Sequence, residues 1–323
     1  MKNLLETQQE KARLYFALTV FINLAILSVI IAGIIIGIKG YVSDTKLAYE
    51  SVTCCESICS KCFFTLHTLF TVLPWACIVI VFIGICIAIH KTFPPLFRNY
   101  GFIRSLPSLS MENHPKLKKV VLYAHFDNQL ILLDNNKLRC AFTLGLWNPK
   151  VYLSTGICSY LTRKELLAVI LHEIYHKKNK DPLKLFIVQI LSALNFFLPI
   201  NYYLLNLYSS ASEKAADDNA INFSREPLEL ASALVKVSKS YNMALLHPLA
   251  SSFKGHNIVE DRISRLLEPQ AILPYYGRIY MYFSCLLSFF IAVTVCFTLF
   301  YKSVIPAHNI GCKTMVCHMI KCG

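Results

Sequence analysis

The sequence predicts an α-helical membrane protein, three spans plus one re-entrant or surface hairpin, carrying a single α+β domain outside the bilayer. Three observations predict it. Of 323 residues, 55% are hydrophobic and only 16% charged, with a mean hydropathy of +0.49, whereas soluble domains carry about 25% charged residues. Three separate stretches are apolar over the roughly 20 residues that a helix needs to cross a hydrocarbon core of about 30 Å. Between the second and third lies enough polar chain for one ordinary domain. This composition excludes a disordered chain and a simple soluble enzyme, and 13 cysteines are too few for a small disulfide scaffold.

The first span is read from Leu14 to Ile38, with Asn23 as its one strongly polar residue. It is too long for a signal-peptide core and lacks a small-x-small cleavage site, so it reads as a retained anchor. The second span runs from Phe63 to Ile89 and the third from Ile279 to Tyr301. A fourth apolar stretch, Leu183 to Tyr208, holds Gln189, Asn195, Asn201 and Asn206 and is interrupted by Pro199. The chain then divides into three parts. Residues 1–90 hold the N-terminus, spans 14–38 and 63–89, and an exterior loop 39–62. Residues 91–275 form the extramembrane domain with a membrane-associated segment at 183–208. Residues 276–323 hold span 279–301 and an exterior tail.

Lysines and arginines near the membrane ends place the domain on the cytoplasmic side by a small excess. Cysteine placement gives an independent argument. Cys54, Cys55, Cys59 and Cys62 fall in the first loop and Cys312, Cys317 and Cys322 in the tail, on one membrane face, while 91–275 holds only Cys140 and Cys158. An oxidising exterior and a reducing cytosol would produce that asymmetry. The domain carries 22 Lys and Arg against 14 Asp and Glu. Attraction to anionic membrane lipid accounts for this charge, and no nucleic-acid partner is expected.

Within the domain, four prolines make Lys91 to Pro115 a linker with little regular structure. Strand-like runs follow at Lys119–Phe126, Gln129–Leu133, Arg139–Leu144 and Lys150–Ser154, which predict a small β-meander. At Thr162 the period becomes helical. Thr162 and Glu165 form a capping box, and Leu166, Leu167, Val169, Ile170 and Ile174 supply an apolar face. A second long helix is predicted over roughly Ser209 to Asn222.

The capped helix contains His172-Glu173-Ile174-Tyr175-His176. Histidines four residues apart share a helix face, so both imidazoles can reach one zinc. Glu173 then stands beside the metal, where it can take a proton from the attacking water. A catalytic zinc keeps three protein ligands. Glu213, in Glu213-Lys214-Ala215-Ala216-Asp217, can be the third, although a lone helical glutamate is more often a solvated face. Asp217, one turn on, can orient a ligand histidine. If 183–208 crossed the membrane once, His176 and Glu213 would lie on opposite sides. It must therefore enter and leave on one face, as a hairpin around Pro199, or lie flat.

These motifs carry a resemblance. The run Gly145-Leu146-Trp147-Asn148-Pro149-Lys150-Val151-Tyr152-Leu153, then Asp181-Pro182, Leu194-Asn195-Phe196-Phe197-Leu198-Pro199 and the Glu-x-x-Ala-Asp motif, resemble integral-membrane gluzincin peptidases of the BlaR/MecR type. The HtpX and CAAX-protease type is a close second. The resemblance covers about Gly145 to Leu267. It implies an α+β gluzincin zinc-peptidase domain, one zinc per chain on His172, His176 and Glu213, and Glu173 as general base in peptide hydrolysis. His256, followed six residues later by Arg262-Ile263, is similar to a motif of the HtpX-like branch, which implies two catalytic groups that stabilise the oxyanion. Asn257 stands where that motif usually has proline. A surface histidine and a lipid-facing arginine remain the alternative, and His247 is a weaker candidate for the same role.

The resemblance implies a membrane-embedded zinc metalloendopeptidase of the plasma membrane. Its expected partners are membrane lipid and a protein or peptide substrate, such as a membrane-bound regulator. An HtpX-like quality-control protease and a catalytically silent receptor or scaffold are the other classes. The receptors of the BlaR type carry a penicillin-binding sensor after the last span. None is expected in a chain that ends at Gly323, soon after Tyr301. The exterior cysteines are expected to staple loop to tail by disulfides, or else to signal to the protease by redox or metal chemistry.

Overall fold

The computed structural model describes residues 2–48, 58–110, 114–124 and 130–239, and single positions 262, 282, 283, 286 and 293. Two long helices open the chain, α1 (Lys2–Ala48) and α2 (Ile58–Ser105). Each contains a segment long and apolar enough to cross a membrane, Gln8–Ile35 and Trp75–Ser105. Most of that apolar surface is uncovered, with Phe21, Phe82 and Ile89 all exposed among the described residues. A soluble core helix would hide such side chains, so the two helices read as lipid-facing. Of the third expected span only Tyr282, Phe283, Leu286 and Val293 are described, each helical and exposed, while the exterior cysteines, His247 and His256 lie outside the described residues or side chains.

The expected linker at 91–115 is helical as far as Ser105. α2 continues through Pro94 and Pro95 to Ser105, lying against α6 (Asp181–Leu194), where Phe93 meets Phe186 edge-on at 6.3 Å. Gly84 makes a close approach possible, because a Cβ there would stand 2.5 Å from the Leu194 carbonyl oxygen.

The sheet has four short strands, β1 (Ser108–Leu109), β2 (Leu130–Leu133), β3 (Ala141–Leu144) and β4 (Lys150–Ser154). Their order is β1-β2-β4-β3, with β2 parallel to β4 and β3 antiparallel to β4. The expected meander is therefore incorrect, since β4 inserts between β2 and β3. Two glycines allow the path. Gly145 turns the β3–β4 hairpin at φ +124°, a conformation that favours glycine. Gly156 comes so close to the carbonyls of Leu138 and Asn136 that no side chain would fit. The strand expected at 119–126 is instead α3 (Pro115–Ala124). Its buried Leu117, Val120 and Val121 recur at helical spacing, and this period outweighs the β propensity of Val120-Val121.

After the short α4 (Thr155–Tyr160) comes α5 (Arg163–Asn179), whose N-terminus carries the complete capping box of Thr162 and Glu165. Leu166, Ile170 and Ile174 bury its apolar face against Val151, Leu153 and Ile157. The sheet and α5 thus share one core. Glu165 also reaches α8 (Pro227–Lys239), accepting from Ser232 Oγ at 2.5 Å and Lys236 Nζ at 2.7 Å. α5 ends at Lys180 in the left-handed region, φ 52°, which redirects the chain into α6. A turn at 195–199 joins α6 to α7 (Ile200–Ser224). The second long helix thus begins nine residues earlier than Ser209, and 183–208 forms a helical hairpin around Pro199.

Candidate metal centre

α5 supplies His172 and His176 on one face, and α7 comes back beside α5 to supply Glu213. Their ligand atoms lie within 4.8 Å of one another. His172 Nε2 is 3.1 Å from His176 Nε2 and 3.5 Å from Glu213 Oε2, and His176 Nε2 is 3.6 Å from Glu213 Oε1. Atoms held about 2.0–2.2 Å from a tetrahedral zinc stand roughly 3.3–3.6 Å apart. Two imidazole nitrogens and one carboxylate are the donor types of a catalytic zinc site. Donor set and spacing therefore fit the ion.

Each histidine presents Nε2 inwards and has a carboxylate beside its other nitrogen. His176 Nδ1 lies 2.8 Å from Asp181 Oδ2, which also accepts from Ser212 Oγ at 2.8 Å. His172 Nδ1 lies 3.0 Å from Asp217 Oδ1, at ion-pair distance but short of hydrogen-bond alignment. A carboxylate on the far nitrogen fixes tautomer and ring orientation, and raises ligand basicity.

Asp217, expected one turn beyond Glu213, lies beside His172. Asp181 was not singled out for this role. Its signal was its place at the start of α6, directly after the α5 turn that ends at Lys180.

Arg262 is buried and engages two of these carboxylates. Its Nε and Nη2 donate to the two oxygens of Asp217 at 2.9 and 2.7 Å, and Nη1 lies 2.7 Å from Glu213 Oε2. Burial opposes its charge, but Asp217 and Glu213 outweigh this and raise its pKa. Burial likewise opposes charge on Glu213, yet Arg262 and the two histidines hold its carboxyl well below the usual range. Burial disfavours the His172 cation too, and Asp217 and Glu213 nevertheless push it up to about 10. The cluster is a balanced set of buried charges.

Glu173 points to the sheet rather than into the ligand set. Thr143 Oγ1, on β3, lies 2.9 Å from both Glu173 Oε2 and the Glu173 carbonyl oxygen. A hydroxyl has one proton, so it serves one acceptor at a time. Thr143 gave no sequence signal, because only the approach of β3 to α5 makes it a partner. Cys140 and Cys158 are buried core residues, and burial pushes both thiols up to about 12. Neither belongs to the cluster of His172, His176 and Glu213.

Comparison with known proteins agrees with this geometry. The profile of the family described as BlaR1 peptidase M56 matches residues 16–266, well over half of the chain. The chain belongs to this family. Its members are membrane metalloproteases, and the two exposed apolar helices accord with that. The chain is also similar to HtpX proteases. Protease HtpX homolog 2 of Methanosarcina acetivorans is 26% identical, over 49% of this chain and 72% of its own length. Protease HtpX homolog of Moorella thermoacetica is 27% identical, over 50% and 67%.

Proposed function

We propose that this M56-family protein is a zinc endopeptidase that cuts protein substrates at or near the cytoplasmic membrane surface. The convergence of His172, His176 and Glu213, each histidine backed by its own carboxylate, carries the reading. Zinc bound there would supply Lewis acidity, polarising the scissile carbonyl and acidifying the attacking water. Glu173 takes the proton of that water and passes it to the leaving amine. Thr143 Oγ1 steadies its carboxylate between the two transfers. Asp181 and Asp217 hold the imidazoles, and Arg262 holds Glu213 and Asp217 together. Its contacts favour this positioning role over a direct one on the oxyanion, for which His256 is the other candidate. Among the described residues β3 is a sheet edge, so an extended substrate backbone can pair beside Thr143 and pass Glu173.

The contacts of α1 support a site at the membrane surface. Asn201 and Asn195, at the hairpin tip, bond Asn23 midway along the apolar stretch of α1. This supports a re-entrant hairpin over one that lies flat. It leaves the metal ligands near the polar end of α1, level with the membrane surface. Cysteine distribution and charge support a cytoplasmic site in a multi-pass plasma-membrane protein. Cleavage of a membrane-bound regulator is the favoured role. Removal of misfolded membrane proteins, suggested by the HtpX relatives, differs in substrate and not in chemistry.

Chelation tests the reading. Detergent-purified protein should cleave casein or itself, stop when 1,10-phenanthroline is added, and recover when zinc is restored. Cleavage unaffected by the chelator would contradict it.

A further inference from the structure

An uninterrupted apolar helix has no use for a buried asparagine, yet Asn23 has no exposed surface. Its carboxamide uses both donors and both acceptor positions. Nδ2 donates to the Thr19 carbonyl at 2.8 Å and to Asn201 Oδ1 at 2.7 Å. Oδ1 accepts from Asn195 Nδ2 at 2.8 Å and from Asn201 Nδ2 at 3.1 Å. Asn23 and Asn201 thus form a reciprocal amide pair, which leucine, alanine or a charged carboxylate cannot reproduce. Asn195 Nδ2 also reaches the Asn23 carbonyl at 3.2 Å, and Asn201 Nδ2 donates to the Asn195 carbonyl at 3.1 Å. The Asn195 carbonyl, at the start of the irregular turn 195–199, is therefore tied by a side-chain bond, the kind of pairing that non-helical backbone at membrane depth needs.

These bonds are far from the metal ligands but rigidly connected to them. α1 and α7 run antiparallel, because Asn23 meets Asn201 at one end while Ala12 packs with Tyr208 and Ala211 at the other. Glu213 lies 12 residues beyond Asn201 on the same helix, about 18 Å at a rise of about 1.5 Å per residue. Asp181 lies 14 residues before Asn195, at the start of α6, about 21 Å away. Both arms of the hairpin thus bring a residue to the site, whereas His172 and His176 stand on α5, outside it. A slip of the hairpin by one helical turn, about 5.4 Å, would part Glu213 from both histidines.

We propose that Asn23, Asn195 and Asn201 are positioning residues of the metal centre. They form a buried carboxamide lock that sets the depth of the α6–α7 hairpin against α1, and so keeps Asp181 and Glu213 in register with the histidines of α5. The proposal rests on the zinc reading above for its functional consequence, but the register it describes is independent of metal.

The experiment uses the full chain with cysteines introduced at Ala12 and Ala211, which pack together, and reads disulfide cross-linking of metal-free protein by mass spectrometry. The same variants without the added cysteines are then assayed for zinc retention against a chelator and for kcat and KM. Asn23→Leu and Asn201→Leu should lower cross-link yield several-fold and weaken zinc retention about 10- to 100-fold, the range for lost support of a ligand. Activity should fall in kcat with KM little changed. Asn195→Ala removes two bonds only and provides a milder variant should the others not fold. Thr19→Val, whose hydroxyl bonds within α1 to the Tyr15 carbonyl, should match wild type in every readout. Unchanged cross-linking and zinc retention in Asn195→Ala and both leucine variants would overturn the proposal. If wild type binds no zinc, the zinc reading fails separately, and cross-link yield alone decides the lock.

Discussion

At the residue scale, the metal centre is a set of opposite charges held against one another. In the metal-free cluster, burial opposes the His172 cation while Asp217 and Glu213 push its pKa up to about 10. Zinc takes a neutral imidazole, so binding at neutral pH must release that proton. Affinity should then rise with pH and fall on acidification, by about tenfold per pH unit for each proton released. Zinc titration calorimetry in buffers of different ionisation heat measures that number directly, and an affinity independent of pH from 6 to 8 would contradict it. Asp181→Asn keeps the shape but removes the charge behind His176, and should weaken zinc binding about 10- to 100-fold. Of these residues, the His-Glu-x-x-His spacing and the Glu-x-x-x-Asp run were legible in sequence because helical periodicity fixes which residues share a face. Asp181 and Thr143 were not, since each meets its partner only after the turn at Lys180 or the approach of β3 to α5.

At the element scale, the capping box of α5 was readable in full, but its extension to α8 was not. Glu165 is almost wholly buried and accepts from Thr162 N, Ser232 and Lys236. Burial works to raise its pKa, but Lys236 and the hydrogen-bond donors outweigh that and leave it below the ordinary value of 4.5. A carboxylate with a depressed folded pKa contributes stability above its unfolded pKa, and loses it as pH falls through the folded one. Wild type should therefore lose stability below about pH 4.5, and Lys236→Met should flatten that loss while lowering stability at pH 7, as read by thermal melts in detergent. Thr162→Ala should cost about 1 kcal/mol, the usual loss for an N-cap hydroxyl. Sequence reading misplaced α3 and the linker for one shared reason. β-branched and proline-rich runs suggest strand or coil locally, whereas packing of Leu117, Val120 and Val121 into the core, and of α2 on α6, favours helix.

At the scale of the whole molecule, α1, α2 and the α6–α7 hairpin form a helical layer that carries part of the metal site. Gly84→Ala should disturb that layer, because its methyl would meet the Leu194 carbonyl. A loss of about 1–3 kcal/mol is expected, with the melting temperature lowered and the sheet and α5 retained. A shared metal requires 183–208 to turn back so that His176 and Glu213 meet, and its fold as two helices joined at 195–199 accords with that requirement. The sheet order was not legible in sequence, because strand length and spacing are the same for a meander and for β4 inserted between β2 and β3. The most direct test of the central claim is a paired measurement on detergent-purified protein, zinc content together with casein cleavage, in wild type and Glu173→Ala. About one zinc per chain in both, with cleavage lost at least about a hundredfold in the variant alone, is the predicted result. Zinc absent from both, or cleavage undiminished in Glu173→Ala, would contradict it.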